Sequence, residues 1–398
     1  MKKILVLLLL CAAVPRARAY GPEGHEIVGA IADRLLANTP AGAKVSALLD
    51  GMTLEEAATI PDTIKAWDTN GVDNPKAQEY FSVHPKIGEQ LRAFWKANPP
   101  TYDEKSPVPS HHWFHYTDVP LAAPFEKYGD GKAGRSQWDI VHMMAYCIRV
   151  LGDKEPSHNE RAITKPIAVI LLAHFVGDIH QPLHVGAEYF DKSGQPVNPD
   201  KATDSLGDEG GNSLRLELHD TPPPGESKHP RLHSFWDSDA VLANLPQFPL
   251  TMPKEERRAK LRVAEGEMAR RLAEEEPRKR WQLPADLPLE KYPEAWANEI
   301  LPIAREAHTR LRFEHVAPKL DHEQMVAAGE ADEQSSQGIS YRQWSRQVVL
   351  DELHRAGWRL ADLLRKALNA APNEKPETTP PSAPNESPDA TVTPATTR

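Results

Sequence analysis

The sequence predicts an all-α protein with a minor β-hairpin, and three observations carry that prediction. Ile163 to Ile179 is a largely apolar run of helical length. Ile27, Ile31 and Leu35 fall on one helical face, with Val28 beside them. Trp344 to Leu368 places Val348, Leu350, Leu353, Trp358, Leu360 and Leu364 at mostly helical spacing. Strand-like alternation is scarce, and Ser213-Leu-Arg-Leu-Glu-Leu218 is its best case. Helices with apolar stripes must cover them against one another, so a packed helical domain is the expected architecture.

Taken in order, the chain opens on a segment with the marks of an export leader. Lys2 and Lys3 form a basic start, Ile4 to Val14 an apolar stretch too short to span a bilayer, and Ala17-Arg-Ala19 a small-residue cleavage site. Residues 1–19 are therefore expected to be removed, leaving Tyr20 as the first residue of a secreted or periplasmic protein. Cys11 would leave with the leader, so Cys147 remains alone and no intrachain disulfide can form. Its apolar surroundings from Val141 to Val150 make Cys147 a packing residue. Losing Lys2, Lys3, Arg16 and Arg18 leaves 43 basic against 57 acidic residues, a net charge of −14. Such a chain is not a nonspecific binder of duplex DNA, and no stable membrane insertion is expected.

Residues 20–370 hold enough apolar content for one large core or two smaller ones and are read as one domain. Gly186 to Glu209 and His219 to Arg231, rich in Gly, Pro, Asp and Ser, are read as long loops. Pro253 to Arg280 is a highly charged run, expected as a solvated surface helix. Residues 371–398 contain seven Pro and six Thr and almost no large apolar side chain, so a disordered tail is expected there.

Chemistry concentrates at Ala173-His-Phe-Val-Gly-Asp-Ile-His-Gln-Pro-Leu-His184. His174 and Asp178 are four apart and share one helical face, an arrangement that grips one cation. Pro182 disfavours helix at Gln181, so His184 leaves the axis and can address a second cation. A single His on an apolar helix is usually a hydrogen-bonded core residue, but the rest of the chain shifts that weight. His233-Ser-Phe-Trp-Asp237 repeats the His/Asp spacing, Trp113-Phe-His115-Tyr-Thr-Asp118 sets a His among aromatics, and His25 and Asp62 stand nearer the N-terminus. Histidine and carboxylate donors without cysteine suit catalytic zinc. His111, His112 and His180 lie close by and are expected to pack or to support ligands.

With Tyr20-Gly-Pro-Glu-Gly-His25, Pro61-Asp62, Asp208-Glu-Gly-Gly-Asn212 and Ala356-Gly-Trp-Arg-Leu-Ala361 added, the chain resembles, from Tyr20 to about Leu368, the zinc-dependent single-strand nucleases typified by nucleases S-one and P-one. That family shares its fold with zinc phospholipases C. The resemblance implies three zinc ions at the bottom of a cleft. Asp62, His115, His174 and Asp178 would hold one. Asp178 would bridge to a second, held also by His25 and by the α-amino nitrogen and carbonyl oxygen of Tyr20. His184, His233 and Asp237 would hold the third. Asn212 matches a residue on the substrate phosphate, and Lys65 a basic position near the bound nucleotide. This sequence departs from the family in having Tyr20 where Trp is usual, in a longer connection from His184 to His233, and in lacking the family's disulfides.

The implied reaction is hydrolysis of single-stranded DNA and RNA to 5′-phosphorylated products, with 3′-nucleotidase activity and Asp62, Asp178, Asn212 and Lys65 at the reacting phosphate. A metal-activated water is the nucleophile the residues favour, since the chain shows no P-loop or nucleophilic Cys motif. A recessed centre would admit a splayed strand but not a rigid duplex. Two alternatives stand beside this reading: a phospholipase C on the same scaffold, and a non-catalytic zinc-binding surface protein. A monomer is expected.

Overall fold

The computed structural model describes residues 20–65, 67, 83–98, 110–122, 127–202, 204–218, 222, 227–314, 316, 326–330 and 338–369. The expected leader, the Pro/Thr-rich tail and parts of the 219–231 segment lie outside the described residues.

The helices are α1 (Pro22–Leu36), α2 (Pro40–Leu48), α3 (Leu54–Ala57), α4 (Ile60–Lys65), α5 (Pro85–Ala97), α6 (Ile140–Leu151), α7 (Lys165–Asp178), α8 (Lys254–Glu274), α9 (Tyr292–Thr309) and α10 (Tyr341–Asn369), with shorter helical turns between them. The all-α prediction holds, and one hydrophobic cluster runs from Tyr20 to Ala367.

Helix α7 is the hub. Thr164 caps its start by accepting from the Ile167 amide, and every residue from Ile167 to Asp178 is buried. A helix covered on all sides needs no polar face, which is why its sequence reads as a continuous apolar run. It packs against α1, α3, α4, α5, α6 and α10. At its end Gln181 is extended (φ −88°, ψ 117°), as a following proline requires, and Pro182–His184 forms a 3-10 turn.

Two attachments set the segments around the end of α7. Asp33 on α1 accepts the Leu54 and Glu55 amides at 3.0 Å each, capping α3 and fixing the backbone that leads to Ala58. The Thr117 amide donates to the His184 carbonyl (2.9 Å), and β1 (Val119–Pro120) pairs in parallel with β2 (Gly186–Ala187), which lays the segment after His115 alongside the one after His184.

Strand structure is minor but not a simple hairpin. The Ser213–Leu218 segment contributes β5 (Arg215–Glu217), which pairs in parallel with β7 (Val326–Glu330), and β7 pairs antiparallel with β6 (Leu311–Glu314). The partners are a hundred residues away, beyond the reach of any local alternation pattern. The segment read as a loop from Gly186 to Glu209 carries β2 and the antiparallel pair β3 (Tyr189–Phe190) and β4 (Leu206–Gly207). The charged helix α8 is solvated along most of its length, but Glu265, Met268, Ala269 and Leu272 are buried. Cys147 is buried and free.

Behind the hub, Arg359 of α10 is 1 % exposed and ties three elements together. Its guanidinium donates to the Trp281 carbonyl (3.0 Å) and the Glu299 carboxylate of α9 (2.5 Å), and lies 3.1 Å from His180 Nε2. We expect Arg359→Leu to cost about 3 kcal/mol, because it strands a carboxylate and a carbonyl chosen to meet a cation. Denaturant melts of the two proteins measure this, and a loss below 1 kcal/mol would show that the network contributes little.

Candidate metal centre

The fold gathers eight of the side chains singled out in the sequence into three groups: His25, His174 and Asp178; Asp62, His115 and His174; and His184, His233 and Asp237. His25 comes from the first turns of α1, Asp62 from α4, His115 from the 3-10 turn His111–His115, and His174 and Asp178 from the last turns of α7. His233 and Asp237 come from a helical turn that widens to π geometry over Phe235–Asp239, a device that recurs at functional sites.

Asp178 stands between two groups. Its Oδ1 lies 3.2 Å from His25 Nε2, while Oδ2 lies 3.0 Å from His115 Nδ1 and 3.2 Å from His174 Nε2. His174 Nε2 is 3.7 Å from Asp62 Oδ1. In the third group His184 and His233 approach through their Nε2 atoms at 3.1 Å, with Asp237 oxygens 3.9 and 3.5 Å away.

Backbone carbonyls decide which ring nitrogens are free. His174 Nδ1 donates to the Ala58 carbonyl (2.6 Å), His184 Nδ1 to the His115 carbonyl (2.8 Å) and His233 Nδ1 to the Gly210 carbonyl (2.7 Å). A carbonyl only accepts, so each Nδ1 carries the proton and each neutral ring turns an Nε2 lone pair into the site. In the third group two such lone pairs face one another. Protonation does not relieve them easily, since burial, joined by the neighbouring His184, pushes His233 down to about 3, and burial also lowers His184. A cation beside both nitrogens does relieve them.

Orphaned atoms point the same way. Among the described residues, His25 Nδ1 and Nε2, Asp178 Oδ1 and Asp237 Oδ2 are buried without a hydrogen-bond partner. Each such group costs about 1–3 kcal/mol unless something else satisfies it. The donor set, imidazole and carboxylate with no thiolate, fits zinc.

Charge is divided unevenly. Burial alone would push the Asp178 carboxyl up, but His174 and His184, with hydrogen bonds from His115 and His174, outweigh it and hold it well below the carboxylate range. Asp62 is likewise lowered against its burial, by Lys65 first and then by His174 and His115. Burial and then His174 push His25 down to about 4, and burial pushes Asp237 well above its usual range. His174 is raised because Asp178 and Asp62 outweigh the opposing effect of burial.

The remaining predicted positions divide. Lys65 Nζ meets Asp62 Oδ1 at 2.8 Å, so it pairs with a carboxylate of the candidate centre. Asn212 is half-buried, two residues past the carbonyl that holds His233, and its side-chain amide donates to the Glu209 carbonyl (2.8 Å). Tyr20 is fully buried. Its hydroxyl donates to the His180 carbonyl (3.0 Å), and the next amide, of Gly21, donates to the Asp237 carbonyl (2.7 Å). Residue 20 is thus held between the last turn of α7 and the π turn, and a tyrosine ring fits there.

Two supporting residues escaped the sequence reading. Gln181, fully buried, donates to Asp237 Oδ1 at 2.7 Å across 56 positions, which nothing local could announce. Gly177 lets the His25 ring lie flat on α7, since a Cβ there would come within 2.8 Å of His25 Nδ1; the rings of His25 and His174 stack at 3.8 Å. A glycine inside a helical run was the available signal. A third element, the turn over Glu209, Gly210 and Gly211, has three successive positive φ values (55°, 60° and 82°) and presents the Gly210 carbonyl to His233. Asp208 anchors that turn by accepting from the Glu188 amide (3.1 Å) and pairing with buried His308 (2.8 Å).

A helical protein whose histidines and aspartates converge in three adjoining groups, with Asp178 standing between two of them, has the donor set of a metal-binding protein. A family model described as S1/P1 Nuclease matches residues 20–369, and the chain belongs to that family. Among curated proteins it is similar to Endonuclease 2 of Arabidopsis thaliana, 24 % identical over 243 residues, covering 60 % of this chain and 61 % of that one. Endonuclease 1 of the same plant is 24 % identical over 250 residues, covering 61 % of each chain. Endonuclease 4 is 27 % identical over 149 residues, 35 % of this chain and 42 % of that one. The first two matches thus span about three fifths of the relatives' length.

The contact between Gly177 and His25 is open to test. A methyl group in Gly177→Ala displaces the His25 ring, so we expect lower metal content per chain by atomic emission and a smaller fall in thermal midpoint on chelation than in the unaltered protein. Unchanged metal content would show that His25 holds no metal.

Proposed function

We propose that this protein is a zinc-dependent phosphodiesterase that hydrolyses single-stranded DNA and RNA to 5′-phosphorylated products and removes phosphate from 3′-nucleotides. The observation that carries the proposal is Asp178, whose two oxygens face separate histidine groups 3.0 to 3.2 Å away. A purely structural zinc site seldom needs a shared carboxylate. Family membership favours nucleic acid over a lipid as the substrate.

Three zinc ions bound in these groups would supply Lewis-acid charge and a water nucleophile competent at neutral pH. The chain's own residues do the rest. His174, His184 and His233 are locked in one tautomer by carbonyls, so their ligand atoms need no reorganisation. Lys65 holds Asp62 and adds positive charge where a phosphate would approach. Asn212, two residues past the carbonyl that holds His233, would hydrogen-bond the phosphoryl oxygens as charge builds on them. Burial of every donor but Asp62, which is partly exposed, keeps the local dielectric low and strengthens these interactions.

Asp178→Asn is expected to lower both zinc content and hydrolysis of single-stranded DNA by at least two orders of magnitude, whereas Asn212→Ala slows hydrolysis with zinc content intact. The comparison substrates are duplex DNA, RNA, a 3′-nucleotide and phosphatidylcholine. Rapid phosphatidylcholine hydrolysis without nuclease or 3′-nucleotidase activity would move the assignment to a phospholipase C.

The proposal includes export and cleavage before Tyr20, so that its free amine and its carbonyl join His25 around one ion. The hydrogen bonds of Tyr20 Oη and Gly21 N support this by holding residue 20 at the centre. A protein extended by a Met or a tag before Tyr20 should fold yet be nearly inactive and short of one zinc per chain. Equal rates for the extended and processed forms would remove Tyr20 from the ligand set.

A further inference from the structure

We propose that His308, in the last turn of α9, is a positioning residue for the nuclease reaction. Through Asp208 it sets the turn that carries both the carbonyl holding His233 and the side chain of Asn212, so that the third metal group and the phosphate contact are placed together; this rests on the phosphate contact proposed for Asn212. His308 is fully buried, and its ring faces something different from the rings of the metal centre. His174, His184 and His233 each give the Nδ1 proton to a carbonyl and keep a bare Nε2. His308 Nδ1 also donates to a carbonyl, that of Ala304 (3.0 Å), but its Nε2 meets the Asp208 carboxylate at 2.8 Å. A carboxylate oxygen accepts, so both ring nitrogens carry protons and the ring is a cation in a charge-assisted bond. Burial opposes that charge, but Asp208 and then Glu188 outweigh it and hold His308 above its usual range. The carbonyl end of α9 favours a cation as well. A ring with no lone pair to offer cannot hold a metal ion, but it can hold a carboxylate in place.

Asp208 passes that hold on to the turn. It is buried, with His308 on Oδ2 and the Glu188 amide on Oδ1 (3.1 Å), while its own amide donates to the Glu188 carbonyl (2.9 Å). Its carbonyl accepts from the Ser213 amide (3.1 Å), which closes a loop over residues 209–212. Inside this loop the Gly210 carbonyl accepts from His233 Nδ1 (2.7 Å), and the Glu209 carbonyl accepts from the backbone amide (3.2 Å) and the side-chain amide (2.8 Å) of Asn212. Glu209 has φ 55°, a conformation that costs energy for any residue with a Cβ, and Gly210 and Gly211 follow at 60° and 82°. Such a backbone keeps its shape only when the surrounding structure imposes it. The pair of His308 and Asp208, both side chains fully buried, is that constraint, and it reaches the turn from a helix a hundred positions further along the chain. A shift of Asp208 moves the acceptor of His233 and the anchor of Asn212 in one step, because both are carbonyls of the same short loop.

The test uses the zinc-loaded full-length protein, with zinc per chain read by atomic emission after dialysis and hydrolysis read on a short single strand of DNA, in a double-mutant cycle with Asn212→Ala. His308→Leu is expected to retain one zinc per chain fewer and to hydrolyse at least about tenfold more slowly. On that background Asn212→Ala should cost less than about twofold, against about tenfold or more in the unaltered protein, because the two residues act through one loop. His308→Gln, which keeps an N–H close to the place of Nε2, is expected to restore both the zinc content and the full effect of Asn212→Ala. A residue that merely stabilised the fold would lower the thermal midpoint and leave these two quantities alone. Unchanged zinc content in His308→Leu, or an equal Asn212→Ala factor on both backgrounds, would overturn the proposal. If His308→Leu does not fold, Asp208→Asn takes its place under the same criteria, since it keeps the side-chain shape and sets an NH₂ group against the His308 N–H. Loss of one zinc in His308→Leu from a protein that hydrolyses no nucleic acid would uphold the link from His308 to the third group and sink the nuclease reading instead.

Discussion

A buried carboxylate cannot stand alone in a protein interior, and Asp178 is fully buried at the end of a helix that is itself covered on every side. Its position is tolerable only because three imidazoles surround it, and those imidazoles in turn come from α1, α7 and the turn ending at His115. Each ring is oriented by something further out. Ala58 turns His174, and Ala58 is placed by α3, which Asp33 caps from α1. His115 gives its carbonyl to His184, and the β1–β2 pairing holds those two segments side by side. The architecture is a set of backbone carbonyls arranged so that lone pairs meet where no proton sits between them.

This dependence explains how much of the molecule was legible in its sequence. The long apolar run, the faces of α1 and α10 and the break at Pro182 are local, and the periodicity of the chain states them directly. The ligand spacings were legible for the same reason: His174 and Asp178 share a helix, and His233 and Asp237 share a turn. That turn opens to π geometry, which the four-residue spacing does not reveal, and yet the His and Asp still meet at 3.5 Å.

What escaped the sequence is what long-range packing supplies. The contact of Gln181 with Asp237, the pairing of β5 with β7 and the anchoring of the Gly210 turn through Asp208 and His308 all join segments far apart in the chain. Net charge misleads in a related way. An acidic total of −10 describes the whole chain, whereas a single cation can act locally, as Lys65 does at Asp62.

The carbonyl acceptors also bear on how a bound ion would be lost. The rings of His174, His184 and His233 are each bolted to a main-chain oxygen in another segment, and all three are buried. Swinging any of these ligands aside means shearing a ring from its carbonyl and disturbing the loop that carries it. Release of a bound ion would therefore require local opening of the polypeptide in addition to breaking its bonds to the ring nitrogens. A centre built this way would exchange bound ions slowly and would hold them through dilution into a medium that offers none.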